Sequence, residues 1–90
     1  MKQIKMQVFG RVQGVGFRYM TKIVADRLHL SGYAKNLDDG SVEIMAEGKT
    51  EAINTFIEEV KASPSPQGHV DRYTLEWCHD LPFQPGFRTL

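Results

Sequence analysis

The segment at residues 10–18 carries the residue types that could bind a phosphate group. It reads GRVQGVGFR, with three glycines, two arginines and no acidic side chain. A glycine-rich turn can point consecutive backbone N–H groups at one anion, and the planar guanidinium of an arginine matches phosphate oxygens. We therefore expect Arg18 and the loop N–H groups to bind phosphate. Glycine spacing alone is also compatible with a plain turn and a solvated arginine.

Two common nucleotide-binding motifs do not match this segment. The mononucleotide loop ends in Lys followed by Ser or Thr, and that ending is missing here. In the dinucleotide fingerprint a third glycine should stand where this chain has Tyr19. The hypothesis is therefore phosphate recognition without either nucleotide motif.

A second candidate residue, Asn36, lies in the segment GYAKNLDDGSVE at residues 32–43. Its amide could hold a water molecule beside the anion site, or it could simply brace the following turn. The histidines His29, His69 and His79 lack metal-ligand spacing, and Cys78 stands alone in an apolar strand pattern. These four residues are better explained by surface or packing roles.

The candidate residues sit between periodic segments that predict the order β-α-β-β-α-β. Alternating polar and apolar residues predict strands at 2–9, 32–37, 41–47 and 73–78. Helical spacing predicts helices at 17–30, with Gly32 as its left-handed cap, and from Thr50, taken as the N-cap, to the Pro-rich stretch after residue 62. Val70 is out of step with the fourth strand, which suggests a bulge, and the tail at 82–90 could add a short edge strand. This is an α+β, ferredoxin-like split β-α-β arrangement, an antiparallel sheet with two helices on one face.

Composition limits the classes of partner. Ninety residues predict a single domain at 1–90, and the formal net charge of zero gives no broad attraction to nucleic acid or to an anionic membrane. RNA-binding modules of this fold class stack bases on aromatic residues of the central strands, but the predicted third strand has none. No apolar run approaches membrane-spanning length, and the lone Cys78 excludes an internal disulfide. We expect a soluble, cytoplasmic protein.

The two motifs GRVQGVGFR and GYAKNLDDGSVE, at this spacing, resemble the acylphosphatases. The resemblance implies a small ferredoxin-like enzyme that hydrolyses the carboxyl-phosphate bond of acyl phosphates, releases inorganic phosphate, and uses no metal and no cofactor. By the same resemblance Arg18 binds the phosphate and Asn36 orients the attacking water. The backbone N–H groups that would cradle the phosphate belong to Val12, Gln13, Gly14, Val15 and Gly16.

The partner implied by this resemblance is a small acyl phosphate, with no nucleic acid, no membrane and a monomeric chain. Two rivals stay open. One is a non-catalytic module of the same fold that binds phosphate or an acyl phosphate. The other is a domain like the acylphosphatase-like part of larger carbamoyl-transfer proteins, which the end of the chain near Leu90 disfavours if the sequence is complete.

Overall fold

The computed structural model describes residues 1–90 as five strands and two helices. In chain order these are β1 (Lys2–Arg11), α1 (Phe17–Arg27), β2 (Ser31–Asn36), β3 (Val42–Gly48), α2 (Thr50–Lys61), β4 (His69–Cys78) and β5 (Phe87–Thr89). The expected β-α-β-β-α-β order is confirmed, and the chain adds a short fifth strand.

The strands form one sheet in the order β4-β1-β3-β2-β5. The pairs among β1, β2, β3 and β4 are antiparallel, as expected, but β5 runs parallel to β2, so the sheet is mixed. Phe87 explains why the tail returns to this edge, since its ring is buried and packs edge-on against Phe56 with centroids 6.0 Å apart. The tail thus contributes to the core as well as to the sheet.

The core lies between one face of the sheet and the two helices. Ile4, Met6 and Val8 of β1 are fully buried there, whereas the intervening Lys5 and Gln7 lie on the other face. In β3, Val42, Ile44 and Ala46 are fully buried while Glu43 and Glu47 are only partly so. Because buried apolar residues alternate with polar residues along these strands, only one face of the sheet is continuously apolar. Both helices pack on that face.

Helix α1 is shorter than expected and ends without the predicted glycine cap. Its last helical residue is Arg27 rather than Leu30, and His29 takes the left-handed conformation with φ 58°. Gly32 lies within β2, with φ 144°. A Cβ built on Gly32 would come within 1.8 Å of the Met45 carbonyl oxygen, so the close approach of β3 is what requires a glycine there.

Other boundaries differ from expectation by one or a few residues. Thr50 is the first residue of α2 and Lys49 is its cap, with no side-chain capping bond. Strand β4 begins at His69, earlier than expected, and the expected bulge is present: Phe9 pairs with Arg72 and Gly10 with Val70, which leaves Asp71 without a partner in β1. The apolar row of β4 (Tyr73, Leu75, Trp77) is largely exposed.

The two helices have 11 and 12 residues, and neither is long and apolar enough to cross a membrane.

Candidate active site

The loop from β1 to α1 presents a row of backbone N–H groups without acceptors. The Val12 N–H donates to the Gly10 carbonyl at 3.1 Å, and the Met20 N–H donates to the Gly16 carbonyl at 3.0 Å. Between these two bonds, none of the N–H groups of residues 13–19 has a backbone or side-chain acceptor. Such a row at the start of a helix is suited to an anion.

Two glycines give this loop its shape. Gly14 and Gly16 have φ values of 74° and 77°, in the left-handed region that residues with a Cβ reach only with strain. A Cβ on either would meet nothing within 4 Å, so it is the backbone angle that requires glycine and not lack of room. Gly16 caps α1 without a side-chain bond, and the first turn has no acidic residue. The positive end of the α1 dipole is therefore uncompensated.

Side-chain hydrogen bonds hold the loop from two sides. The Gln13 amide Nε2 donates to the carbonyl oxygens of Leu37 and Ser41, at 2.8 Å each, which ties the loop to the β2–β3 hairpin. On the opposite side the buried Ser65 hydroxyl donates to the Val15 carbonyl at 2.6 Å. The loop is therefore positioned before any ligand binds. These roles for the Gln13 side chain and for Ser65 could not be read from the sequence, since their partners are far apart in the chain.

Arg18 and Asn36 meet at one backbone oxygen of the tail. The guanidinium Nη1 of Arg18 donates to the main-chain oxygen of Leu90 at 2.7 Å, and the backbone N–H of Asn36 donates to the same oxygen at 3.3 Å. The Leu90 N–H donates in turn to the Ala34 carbonyl at 2.8 Å. The structure thus brings together the two residues predicted from separate motifs. Sequence reasoning missed Leu90, because only the suggestion of an edge strand in the tail pointed to it.

The Asn36 side chain takes no part in closing the hairpin. The hairpin is closed by the Leu37 N–H donating to Ser41 at 2.9 Å and by the Asp39 carboxylate accepting the Ser41 N–H at 2.9 Å. The Asn36 Oδ1 atom is buried and has no hydrogen-bond donor. A buried amide oxygen without a donor is costly, so this orientation of the amide gains nothing from the hairpin, and a water reaches the oxygen only after the amide rotates. The turn-brace interpretation therefore lacks a supporting contact.

The charges around the site leave Arg18 available. No Asp or Glu side chain forms a salt bridge with it. The nearby hairpin acid, Asp39, is already engaged: the hydroxyl and backbone N–H of Ser41 donate to its carboxylate and hold the pKa of Asp39 below its usual value. No group of three or more His, Cys, Asp or Glu side chains is placed to hold a metal ion.

The single surface cavity of the chain lies away from these residues. It has a volume of about 250 Å³ and is lined by Gly32, Tyr33, Met45, Pro82, Phe83, Gln84 and Arg88. None of the residues predicted to bind phosphate or water is among them. The row of N–H groups is not part of this cavity.

Fold and loop together define a ferredoxin-like α+β protein with free backbone donors at its first strand–helix junction. The acylphosphatase family profile matches residues 4–89. An acylphosphatase from Latilactobacillus sakei subsp. sakei is 56% identical over 80 residues, covering 89% of this chain and 87% of that protein. The crystal structure of acylphosphatase from Bacillus subtilis matches with a TM-score of 0.95 and 42% identity, over 100% of this chain and 99% of that one. The chain therefore belongs to the acylphosphatase family, and it is a hydrolase.

The same fold also occurs as a small part of a longer protein. Full-length HypF, in a phosphate- and nucleotide-bound crystal structure, matches 99% of this chain with a TM-score of 0.88 and 27% identity, while the match covers 12% of the HypF chain.

Proposed function

We propose that this chain hydrolyses acyl phosphates to a carboxylate and inorganic phosphate. The observation that carries the proposal is the row of acceptor-free N–H groups at residues 13–19, with the Arg18 guanidinium at the same helix end. That arrangement offers a dense set of donors to a phosphoryl group, and no Asp or Glu side chain pairs with Arg18.

Arg18 and the loop would bind the phosphoryl oxygens. The Arg18 Nη1 bond to the main-chain oxygen of Leu90 holds the guanidinium at the end of β5, while its other N–H groups remain free for a ligand. The backbone donors would come from Gln13, Gly14, Val15 and Gly16. The Val12 N–H, which was also expected to bind phosphate, is instead bonded to the Gly10 carbonyl and anchors the loop. Donors fixed before binding cost little reorganisation as charge develops in the transition state.

Asn36 would orient the attacking water. Its Oδ1 has no donor, and once the amide rotates toward the loop a water O–H donated to that oxygen would aim an oxygen lone pair away from the amide, toward the phosphorus. The Asn36 backbone is fixed by its bond to the Leu90 oxygen that also holds Arg18. Water and phosphate would therefore be positioned by one shared anchor.

The reaction needs few groups from the protein. The water oxygen forms a bond to phosphorus, the bond between phosphorus and the acyl oxygen breaks, and its electron pair leaves on the carboxylate. Because a carboxylate is a stable leaving group, no general acid is required. The proton of the water would pass to a phosphoryl oxygen. Positioning and charge stabilisation would supply the acceleration, without a metal or cofactor.

A single chain would suffice for this chemistry. The donors of the loop, Arg18 and Asn36 all lie within one copy of residues 1–90, which we take as a single domain and a monomeric catalytic unit. The lone cysteine excludes an internal disulfide and favours a reducing compartment, so we place the proposed activity in the cytoplasm.

The test is turnover of benzoyl phosphate by purified protein in the presence of a metal chelator. We expect hydrolysis that Arg18→Ala abolishes and that Arg11→Ala preserves. Arg11 is the matched control because it is an exposed arginine at the start of the same loop, with no hydrogen bond or ion pair of its side chain. Phosphate binding without turnover would instead support the non-catalytic module, and strict dependence on added magnesium or zinc would contradict the proposed mechanism.

A further inference from the structure

The surface cavity of the chain lies on the face of the sheet that the helices do not cover. Arg88, Tyr33 and Met45 are register partners in β5, β2 and β3, so they form one row across that face. The preceding Phe87 is buried in the core, which confirms that the row points away from the helices. Met45 is nevertheless only 9% exposed. The rest of the cavity wall comes from the tail at residues 81–86, which we call the arch.

Hydrogen bonds fix the arch to the sheet at both of its ends. At the first end, the Gln3 side-chain amide accepts the Leu81 N–H at 3.0 Å and donates to the Leu81 carbonyl at 2.8 Å. Gln3 is itself buried, and its Nε2 also donates to the Glu47 carboxylate at 2.8 Å. At the second end, the Gly86 carbonyl accepts the Gly32 N–H at 3.1 Å. The space under the arch is therefore held open before any ligand arrives, which lowers the entropy cost of binding there.

The cavity has apolar walls and a single charged residue. Met45, Pro82, Phe83 and the Tyr33 ring supply the apolar surface, and Arg88 is the one charged side chain that lines the cavity. The Arg88 guanidinium is exposed and forms neither a hydrogen bond nor a salt bridge. A small ligand site typically combines apolar walls with a few polar groups that fix the orientation of the ligand. The Arg88 fork is such a group, and it matches the two oxygens of a carboxylate.

The acidic residues on this face of the sheet have partners of their own. The Glu43 carboxylate accepts the Tyr33 hydroxyl at 2.5 Å, and Lys35 of β2 lies opposite Glu43. Glu47 accepts the amide that holds the arch, and the arch itself contains no acidic residue. The Tyr33 hydroxyl is therefore occupied, so its ring and not its oxygen serves the cavity. Arg88 remains the charged group at the cavity without a partner of opposite sign.

We propose that the cavity under the arch binds a small carboxylic acid with a flat apolar body, in its carboxylate form. The carboxylate would accept two hydrogen bonds from Arg88, and the apolar body would lie against Phe83 and Met45, whose sulfur favours an aromatic neighbour. The volume of about 250 Å³ corresponds to about eight water molecules at about 30 Å³ each, which suits one ring with a short substituent. Inorganic phosphate fits poorly, because it would leave the apolar walls without contact.

This cavity and the proposed active site lie on opposite faces of the sheet. Ala34 is buried in the core, so Asn36, two residues further along β2, points to the same helix-covered side, where Arg18 begins α1. Tyr33 points to the other side. The two sites are therefore separated by the thickness of the sheet, and the cavity proposal does not rest on hydrolysis.

The first experiment is a titration of the full chain with benzoate, benzamide and acetate, followed by backbone amide NMR shifts. We expect benzoate to bind with a Kd of about 1 mM or tighter, with the largest shifts at Tyr33, Met45 and Phe83. Benzamide lacks the charge and acetate lacks the apolar body, so each should bind at least about tenfold more weakly. A saturating concentration of inorganic phosphate should leave the benzoate titration unchanged. Absence of saturable binding, equal binding of benzamide, or shifts confined to residues 13–19 would overturn the proposal.

The second experiment repeats the benzoate titration on variants of the cavity. Arg88→Gln should weaken binding about tenfold or more, whereas the control Arg11→Gln, at an exposed arginine outside the cavity, should leave it within about twofold. Tyr33→Phe keeps the ring and should also preserve binding, and Arg18→Ala should preserve it because the two sites are separate. Thermal melts confirm that each variant is folded. Unchanged affinity in Arg88→Gln, or an equal loss in Arg11→Gln or Arg18→Ala, would contradict binding under the arch.

Discussion

Arg18 and Asn36 share one anchoring oxygen but contribute different atoms to the proposed reaction. In that proposal Arg18, whose guanidinium is held by the Leu90 oxygen, would offer a positive charge to phosphate both before and during the chemical step. In the proposed reaction Asn36 would use its uncharged amide to hold water and would not contact phosphate. The two residues should therefore be separable by measuring binding and turnover independently.

We expect Arg18→Ala to weaken phosphate binding and turnover together. Asn36→Ala should keep phosphate affinity close to that of the unmodified chain while kcat falls by about 100-fold or more, comparable to the loss of one preorganised donor. Calorimetry with inorganic phosphate and turnover of benzoyl phosphate make the comparison, with the exposed Asn54→Ala in α2 as a control. Equal loss of phosphate affinity in both variants would contradict the division of roles, and full activity of Asn36→Ala would remove Asn36 from the site.

Tyr33 gives the molecule a predictable response to alkaline pH. Partial burial, together with its hydrogen bond to Glu43 at 2.5 Å, raises the pKa of Tyr33 to about 12. The unfolded chain releases this proton near the ordinary value of 10.0. Between these values the unfolded state binds fewer protons than the folded state, so stability falls as pH rises.

Tyr33→Phe should therefore remove part of the stability loss between pH 10 and pH 12. The measurement is the urea unfolding midpoint at pH 9 and at pH 11 for the unmodified chain and for Tyr33→Phe. The control is Tyr19→Phe, because Tyr19 is an exposed tyrosine of α1. Parallel pH dependence in all three proteins would show that Tyr33 does not carry this effect.

At the scale of elements, glycines serve two different purposes in this chain. Gly16 has a left-handed backbone angle with open space around it, whereas Gly32 sits where the backbone of β3 approaches too closely for any Cβ. The first requirement is a matter of local conformation, and the second is a matter of packing between strands.

Gly16→Ala should cost about 1–2 kcal/mol of unfolding free energy through backbone strain alone. Gly32→Ala should cost on the order of 3 kcal/mol or more, because β2 and β3 must separate. Urea unfolding compares them with Gly40→Ala in the hairpin, which shares the positive φ and the open surroundings of Gly16. Only Gly16→Ala should also weaken phosphate binding. If Gly40→Ala weakens it equally, the effect is general strain and not distortion of the loop.

At the scale of the whole molecule, phosphate should stabilise the native state. Because the loop is held by Gln13 and Ser65 before any ligand binds, binding needs little rearrangement and is linked to the folded state only. At ten times Kd the gain is about 1.4 kcal/mol, which for a chain of this size raises Tm by several degrees.

Thermal melts in phosphate and in chloride at matched ionic strength check this expectation. With zero formal net charge the molecule has no broad field to attract anions, so chloride should have little effect. Arg18→Ala should lose most of the phosphate response. An equal shift in chloride, or an unchanged shift in Arg18→Ala, would mean that no specific cradle exists.

The spacing of apolar residues along the chain predicted most of the helices and strands. Alternation in residues 2–9 and helical spacing after Phe17 identified β1 and α1, and both motifs were placed at the correct strand ends. These features are local, since each depends on residues a few positions apart. The end of α1 was wrong because helical spacing continued to Leu30 while the chain needed to turn into β2, and His29 took the left-handed position.

The sequence by itself determined the order of elements, the glycine-rich loop and the residue types at the proposed site. Only the tertiary structure decided that Leu90 joins Arg18 to Asn36, that the tail adds a parallel strand, and that the apolar row of β4 stays exposed. A periodic pattern records which face of a strand is apolar, but it does not record the strand's neighbours in the sheet. Those depend on contacts between residues distant in sequence, so they follow from the packing of the whole chain.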